Sequence, residues 1–276
     1  MSKIYIVPTP IGNLQDITLR TLDVFKDKKY FFAEDTRRIL KLFGLLNISS
    51  SAKKFYSFFD KNRSVVAVRL REMRRILEQG DDVVITSDAG TPNVSDPALA
   101  AVKTFIQEYE IEPLPGASAL CTAASMLPWK YETLIFLGFI PRKEKELQAK
   151  ILEIQAVPES VIIYFDSPKR YIKTLAYLRE ILDAKTEVLV FRELTKMHQD
   201  IKYLTLDSSE IPDLTQKGEI TIAVKPVFKQ KTRDYAEDIT LLRELGVSAR
   251  DIAAFVSRKY KLEKNKIYMQ VIKNEE

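Results

Sequence analysis

Four short stretches concentrate the side chains that could bind or act on a ligand. The densest is Ser87-Asp88-Ala89-Gly90-Thr91-Pro92-Asn93-Val94-Ser95-Asp96-Pro97, with two carboxylates, four hydroxyl or amide side chains and a glycine in eleven residues. Asp88 is placed to accept hydrogen bonds from ligand hydroxyls or an ammonium. Asp96 with Pro97 reads as the N-cap and first residue of a helix. Ala33-Glu34-Asp35-Thr36-Arg37-Arg38 is acidic then basic, which suits either a ligand-facing loop or a plain cap with a solvated face. In Val7-Pro8-Thr9-Pro10-Ile11-Gly12-Asn13-Leu14 two prolines fix a rigid turn, and Gly12 either lets backbone approach a ligand or simply tightens that turn. Pro115-Gly116-Ala117-Ser118-Ala119-Leu120 sets small residues at a helix N-terminus, open to a carboxylate or an adenine ring, or to nothing beyond a helix start.

Counting excludes other chemistry. One cysteine, Cys121, and one histidine, His198, leave no Cys/His cluster for zinc or iron-sulfur and no Cys-His catalytic pair; carboxylate-bound magnesium stays open, but no clustered Asp/Glu motif argues for it, so no metal site is expected. Neither G-x-G-x-x-G nor G-x-x-x-x-G-K-[ST] occurs among the eight glycines. His198 falls on a connection between two strands, where a structural role is the plainer reading.

These stretches need strands and helices to hold them. Lys3 to Val7 reads as a strand, Thr18 to Lys28 as a helix and Tyr30 to Ala33 as a second strand, a βαβ opening. Ser64 is read as the cap of a helix carrying Val66, Met73, Ile76 and Leu77, stopped by Gly80 and followed by a strand over Asp82 to Thr86. A strand near Ile111 to Leu114 and a helix from Ser118 follow. In an open α/β sheet, ligands bind beyond the carboxyl ends of the strands, where these loops fall. Beyond Thr133 strands predominate: Leu134 to Phe139, Ser160 to Phe165, Glu187 to Glu193, Lys202 to Leu206 and Glu219 to Val224, with helices over Lys145 to Gln155 and Pro168 to Leu182. The remainder is helical and basic, with segments over Tyr235 to Leu245, over Ser248 to Lys259 and near Lys266. The reading is α/β: an N-terminal lobe over 1–116, a mixed α/β lobe over 117–228 and a small helical appendix over 229–276.

The chain has 276 residues, 46% hydrophobic and 29% charged, and no apolar run near the roughly 20 residues of a membrane helix. Its start runs straight into a strand pattern without the regions of a signal peptide, so a cytoplasmic place and no membrane partner are expected. Charge is uneven. From Arg37 to Arg75, eleven Lys/Arg face only Asp60 and Glu72, a net of +9, while the rest of the chain sums to −4. That is the footprint expected for a phosphate backbone, with Phe55, Tyr56, Phe58 and Phe59 as stacking surfaces; the alternative is a solvated basic helix beside ordinary core aromatics.

In order and spacing, these loops resemble the tetrapyrrole methylase superfamily of S-adenosylmethionine-dependent methyltransferases, and within it the small-subunit (16S) ribosomal RNA cytidine 2'-O-methyltransferase family. The likeness continues through Gly138-Phe139-Ile140-Pro141-Arg142-Lys143, Ser167-Pro168-Lys169-Arg170, Arg192-Glu193-Leu194-Thr195-Lys196 and Lys217-Gly218-Glu219. It spans roughly residues 3 to 225, and the tail ending Asn265-Lys266-Ile267-Tyr268 resembles that family's appendix. The resemblance implies a two-lobed tetrapyrrole methylase fold, with S-adenosylmethionine folded in the cleft between the lobes. Pro10 would line the cofactor, Asp88, Ala89, Gly90 and Thr91 its amino acid and ribose side, and Ser118 and Ala119 its adenosine, with Phe165 and Leu194 closing from the second lobe. Glu34, Asp35, Arg37, Arg142 and Lys143 would face the RNA.

By the same resemblance the partners are small-subunit ribosomal RNA or the assembled subunit, and a second copy of the chain as a homodimer. No catalytic base is identified. After Tyr56 the family usually carries a His-Glu-His-Asn-like stretch, where this chain has Ser57-Phe58-Phe59-Asp60-Lys61-Asn62. Two other functions suit the same fold: carbon methylation of a tetrapyrrole, which needs no long basic face, and a non-catalytic RNA-binding factor, which needs no intact cofactor loops.

Overall fold

The computed structural model describes residues 2–59, 63–94, 98–208, 218–229, 235–260 and 262–273. The chain divides into two compact units, Met1–Val227 and Phe228–Glu276.

The first unit opens with β1 (Lys3–Val7), α1 (Leu19–Asp27), β2 (Tyr30–Ala33), α2 (Thr36–Leu45), β3 (Lys54–Ser57), α3 (Arg63–Glu78), β4 (Val83–Thr86), α4 (Leu99–Phe105) and β5 (Glu110–Pro113). These strands form a parallel sheet in the order β3-β2-β4-β1-β5. Alternation along each strand feeds two cores. Ile4, Ile6, Tyr30, Phe32, Val83 and Ile85 point to the face covered by Val66, Met73 and Ile76 of α3 and Phe105 of α4. Val7, Phe31, Ala33 and Val84 point to the face covered by Phe25 of α1 and Ile39 and Phe43 of α2. The chain runs outward from β1 to β2 and β3, returns through β4 and ends on the other side at β5. The order therefore reverses between β1 and β4, which opens a crevice at their carboxyl ends.

A second sheet follows α5 (Ala119–Ala124). Its strands are β6 (Thr133–Phe139), β7 (Ser160–Asp166), β8 (Glu187–Arg192), β9 (Asp200–Thr205) and β10 (Ile220–Lys225), with α6 (Glu144–Leu152) and α7 (Tyr171–Ile181) between them. The order is β6-β7-β10-β8-β9, with β6 and β7 parallel and the other pairs antiparallel. Val161, Ile163, Leu189, Phe191 and Ala223 pack with Ala123 of α5, Trp129 and Ile11. The second unit has α8 (Tyr235–Glu244), α9 (Ala249–Tyr260) and α10 (Lys264–Lys273) around Ile239, Ile252, Val256, Ile267 and Val271. No described helix is long and apolar enough to cross a membrane.

Two sequence expectations change, and a third is not described. The basic stretch contains a strand, β3, that its charge concealed, and its aromatics are packing groups: Phe55 stacks on Phe31 at 5.3 Å, Tyr56 on Phe32 at 4.7 Å, and Phe58 is buried. Of that set, Phe59 alone is exposed, at 38%. Helix α3 already includes Arg63, so Ser64 lies inside its first turn and not before it. The Asp96-Pro97 helix start lies outside the described residues.

Candidate functional site

At the reversal point, a cleft of about 440 Å³ opens between the two sheets. Its first wall is made by the loops after β1, β2 and β4 and by the start of α5; the second by Phe139, Phe165, Phe191, Leu194 and residues 218–221.

The first wall is tied together by short-range bonds. Thr9 and Gly90 exchange backbone hydrogen bonds at 3.0 and 2.9 Å. Ser87 Oγ donates to Gly90 O at 2.9 Å, and Thr91 Oγ1 to Ala117 O at 3.0 Å. Gly90 sits at φ 88°, and a Cβ there would press on Ile11 Cγ2 at 3.3 Å, so glycine is required. Asp88 spans two loops: the Asp35 amide donates to its Oδ1 at 2.9 Å, and Arg38 Nε lies 3.2 Å from Oδ2. Burial raises the Asp88 carboxyl above its ordinary value, against the opposing Asp35 amide and Arg38 charge.

Asp35 caps α2 by accepting from Arg37 N at 2.9 Å, and its carboxyl falls to about 2 because the Arg37 side chain and amide both donate to it. Ser118 caps α5.

The second wall rests on a buried carboxylate. Asp166, with no exposed side-chain surface, accepts from Ser167 N at 2.8 Å, Arg170 Nε at 2.7 Å and Thr174 Oγ1 at 2.6 Å, which fixes the turn from β7 to α7. After β8, Glu193 and Thr195 adopt φ of 52° and 65° on either side of Leu194. Here Gly12 makes a close approach to protein: a Cβ would lie 2.4 Å from Lys196 Cγ and 3.1 Å from Leu194 O. The Asn13 amide donates to Thr195 Oγ1 at 3.1 Å beside it. Lys196 bridges Glu193 at 2.8 Å and Glu219 at 3.1 Å; burial disfavours its charge, but the two carboxylates outweigh that and raise its pKa.

The cleft is acidic. Glu34, Asp88, Asp166 and Glu219 border it; Asp166 is matched by Arg170, Glu219 by Lys196 and Asp88 by Arg38, the one cation among the described lining residues. Such a lining favours a positively charged ligand. A smaller cavity of about 210 Å³ adjoins, sharing Ile11, Arg38, Asp88, Ala89 and Glu219 and adding Pro10 and Lys196. Among the described residues no three His, Cys, Asp or Glu side chains cluster as a metal site.

The expected site residues separate by position. Asp88, Ala89, Gly90, Thr91, Ser118, Ala119, Phe165 and Leu194 all border the cleft, as does Glu34, whereas Pro10 borders the smaller cavity. Asp35 and Arg37 are engaged with each other at 2.6 Å. Arg142 and Lys143 lie on the exposed β6–α6 connection and line neither cavity, with Lys143 paired to Glu146 at 2.9 Å. Sequence reasoning missed Arg38, Phe139, Glu219 and Phe191. The first three sat inside quoted motifs with no role given; Phe191, in mid-strand, carried no signal. The basic stretch is partly neutralised, Arg74 by Glu108 and Arg75 by Glu72, while Lys53 donates to the carbonyls of Lys26 and Lys28. His198 and Cys121 are both exposed.

Several proteins share this chain's sequence pattern and architecture. A Hydrogenobaculum protein named ribosomal RNA small subunit methyltransferase I is 34% identical over 86% of this chain and 100% of its own length. A Vibrio cholerae protein of the same name is 34% identical over 98% of this chain and 94% of its own. Among solved structures, the methyltransferase CobJ superposes with a TM-score of 0.61 at 16% identity, covering 82% of this chain and 95% of CobJ. Uroporphyrin-III C-methyl transferase from Thermus thermophilus, complexed with S-adenosyl homocysteine, gives 0.54 at 15%, covering 81% and 97%. Residues 3–210, which hold both sheets' loops up to β9, match the Tetrapyrrole (Corrin/Porphyrin) Methylases. With that match and full-length relatives above 30% identity, the chain belongs to the tetrapyrrole methylase family.

Proposed function

We propose that this protein transfers a methyl group from S-adenosylmethionine to the ribose 2'-hydroxyl of a cytidine in small-subunit ribosomal RNA. The observation that carries the RNA substrate is the 34% identity, across nearly the whole chain, to relatives named ribosomal RNA small subunit methyltransferase I. The cleft supports the cofactor. Its volume of about 440 Å³ suits a small molecule. Its acidic lining suits a sulfonium and an ammonium, and Gly90, whose φ of 88° only glycine adopts freely, shapes the loop that borders it. Asp88, Ala89, Gly90 and Thr91 would hold the amino acid and ribose side, Ser118 and Ala119 the adenosine, with Phe165 and Leu194 closing over it.

The cofactor supplies a methyl group already activated by its positive sulfur. The chain's own residues therefore align and exclude water rather than generate a strong nucleophile. Phe165, Phe191 and Leu194 keep the second wall apolar, and Glu34 borders the cleft as a carboxylate able to take the hydroxyl proton. Work in the cytoplasm on RNA or the assembled subunit, and a homodimeric state, belong to the same reading.

The test supplies unmodified small subunits, reconstituted with either the ribose or the 2'-deoxy form at the target cytidine, and locates the methyl group by mass spectrometry. Transfer to the ribose form alone is expected. A methyl group on the base, or equal transfer to the deoxy form, overturns the assignment. So does transfer to a tetrapyrrole with none to RNA.

A further inference from the structure

A ribose 2'-hydroxyl is displayed in the shallow minor groove of an RNA helix, but carrying it into a cleft with its methyl donor is easiest when the nucleotide leaves the stack, and the base then needs a substitute for its lost neighbours. The cleft offers one. Phe139, the last residue of β6, is 66% exposed although it is large and apolar, and it borders the cleft. A register shift against β7 lies between Phe136 and Phe139, where Gly138 takes φ 62°. Such an irregularity re-aims the side chain that follows it. The ring is braced edge-on by Phe165, 5.5 Å between centroids at 65°, and Phe165 is held in turn by Phe136 at 4.9 Å. No interior need of the fold explains an aromatic ring positioned so firmly in water.

A second exposed group borders the same cleft. Arg38 is fixed at its Nε by Asp88 at 3.2 Å, yet its side chain is 61% exposed, and Asp88 is its one carboxylate partner among the described residues. It touches both the cleft and the adjoining cavity, whose other cation, Lys196, is already matched by two carboxylates. A guanidinium anchored at one nitrogen presents its other two to an anion in a fixed plane.

We propose that the cleft captures the acceptor nucleotide through these two residues, Phe139 stacking on its unstacked base and Arg38 binding its phosphodiester. The proposal rests on the RNA methyltransferase reading above. Buried Phe191 and Leu194 already provide apolar surface inside the cleft for the cofactor's adenine. That leaves the exposed ring to the heterocycle that arrives second.

The experiment measures KM for unmodified small subunits and Kd for S-adenosylmethionine in wild type, Phe139→Ala, Phe139→Tyr, Arg38→Gln and Arg38→Lys. Phe139→Ala is expected to raise KM roughly 5- to 150-fold, the span of one aromatic–base stack, with Phe139→Tyr restoring it and cofactor Kd unchanged. Arg38→Gln is expected to lower the magnitude of the log–log salt slope by about 0.7, with Arg38→Lys restoring it. A raised cofactor Kd with unchanged KM in either Phe139→Ala or Arg38→Gln overturns the proposal and gives that side chain to the cofactor's adenine or carboxylate. Unchanged KM and Kd overturn it as well. A wild-type chain that methylates no RNA overturns the reading beneath it, a failure seen before any variant is made.

Discussion

Asp88 accepts the Asp35 amide and pairs with Arg38 from within a cleft wall, and burial holds its carboxyl above the ordinary range. Because the folded chain raises this pKa, it favours the protonated form. The stabilisation from that form is complete below the unfolded value, near 4, and is lost as pH rises through the higher folded value. Asp88→Asn keeps an acceptor for the Asp35 amide and does not titrate. Its stability relative to wild type, from urea midpoints, is expected to improve between pH 4 and pH 7; an improvement on acidification instead would contradict the raised carboxyl. The cleft thus contains an acid whose charged form burial disfavours.

Helix α3 shows how far sequence alone carries. Its apolar spacing was legible, because Val66, Met73, Ile76 and Leu77 follow one stripe, and all four are buried. Its charge was not. Arg74 meets Glu108 and Arg75 meets Glu72, and the Glu108 partner comes from 34 residues along the chain, which no local pattern contains. Arg71 is exposed and has no carboxylate partner among the described residues. Arg71→Gln is therefore expected to lower the magnitude of the RNA salt slope by about 0.7–0.9, while Arg74→Gln or Arg75→Gln leaves it nearly unchanged. Equal effects at all three would show that these ion pairs open on binding. Strand β3 was hidden for a related reason: Lys53 and Lys54 precede its aromatics, and only the parallel pairing with β2 turns Phe55 and Tyr56 onto Phe31 and Phe32. The cleft loops were legible because their turn chemistry is local. Gly12 was half legible, since a close approach was clear but its partner, Leu194 to Lys196, lies some 180 residues away in sequence.

Every described residue that borders the main cleft lies between Ile11 and Thr221, inside the first compact unit. Removing residues 228–276 is therefore expected to leave S-adenosylmethionine affinity unchanged by calorimetry; a large loss would place a cofactor contact in the helical unit. The order of the second sheet has another consequence, in time. Of the described strands β10 is the last made, yet it lies in the middle of its sheet, pairing with β7 on one side and β8 on the other. Until it leaves the ribosome, β6 with β7 and β8 with β9 are two separate ribbons, each with an unpaired inner edge. At that stage the second wall of the cleft lacks residues 218–221 and the strand that joins its two ribbons. At about 5–20 residues per second, the 49 residues of Phe228–Glu276 then take roughly 2–10 s to add. A nascent chain interrupted before Ile220 would therefore carry two sticky edges and no complete site, whereas one interrupted after Val227 would hold every described residue that borders the cleft.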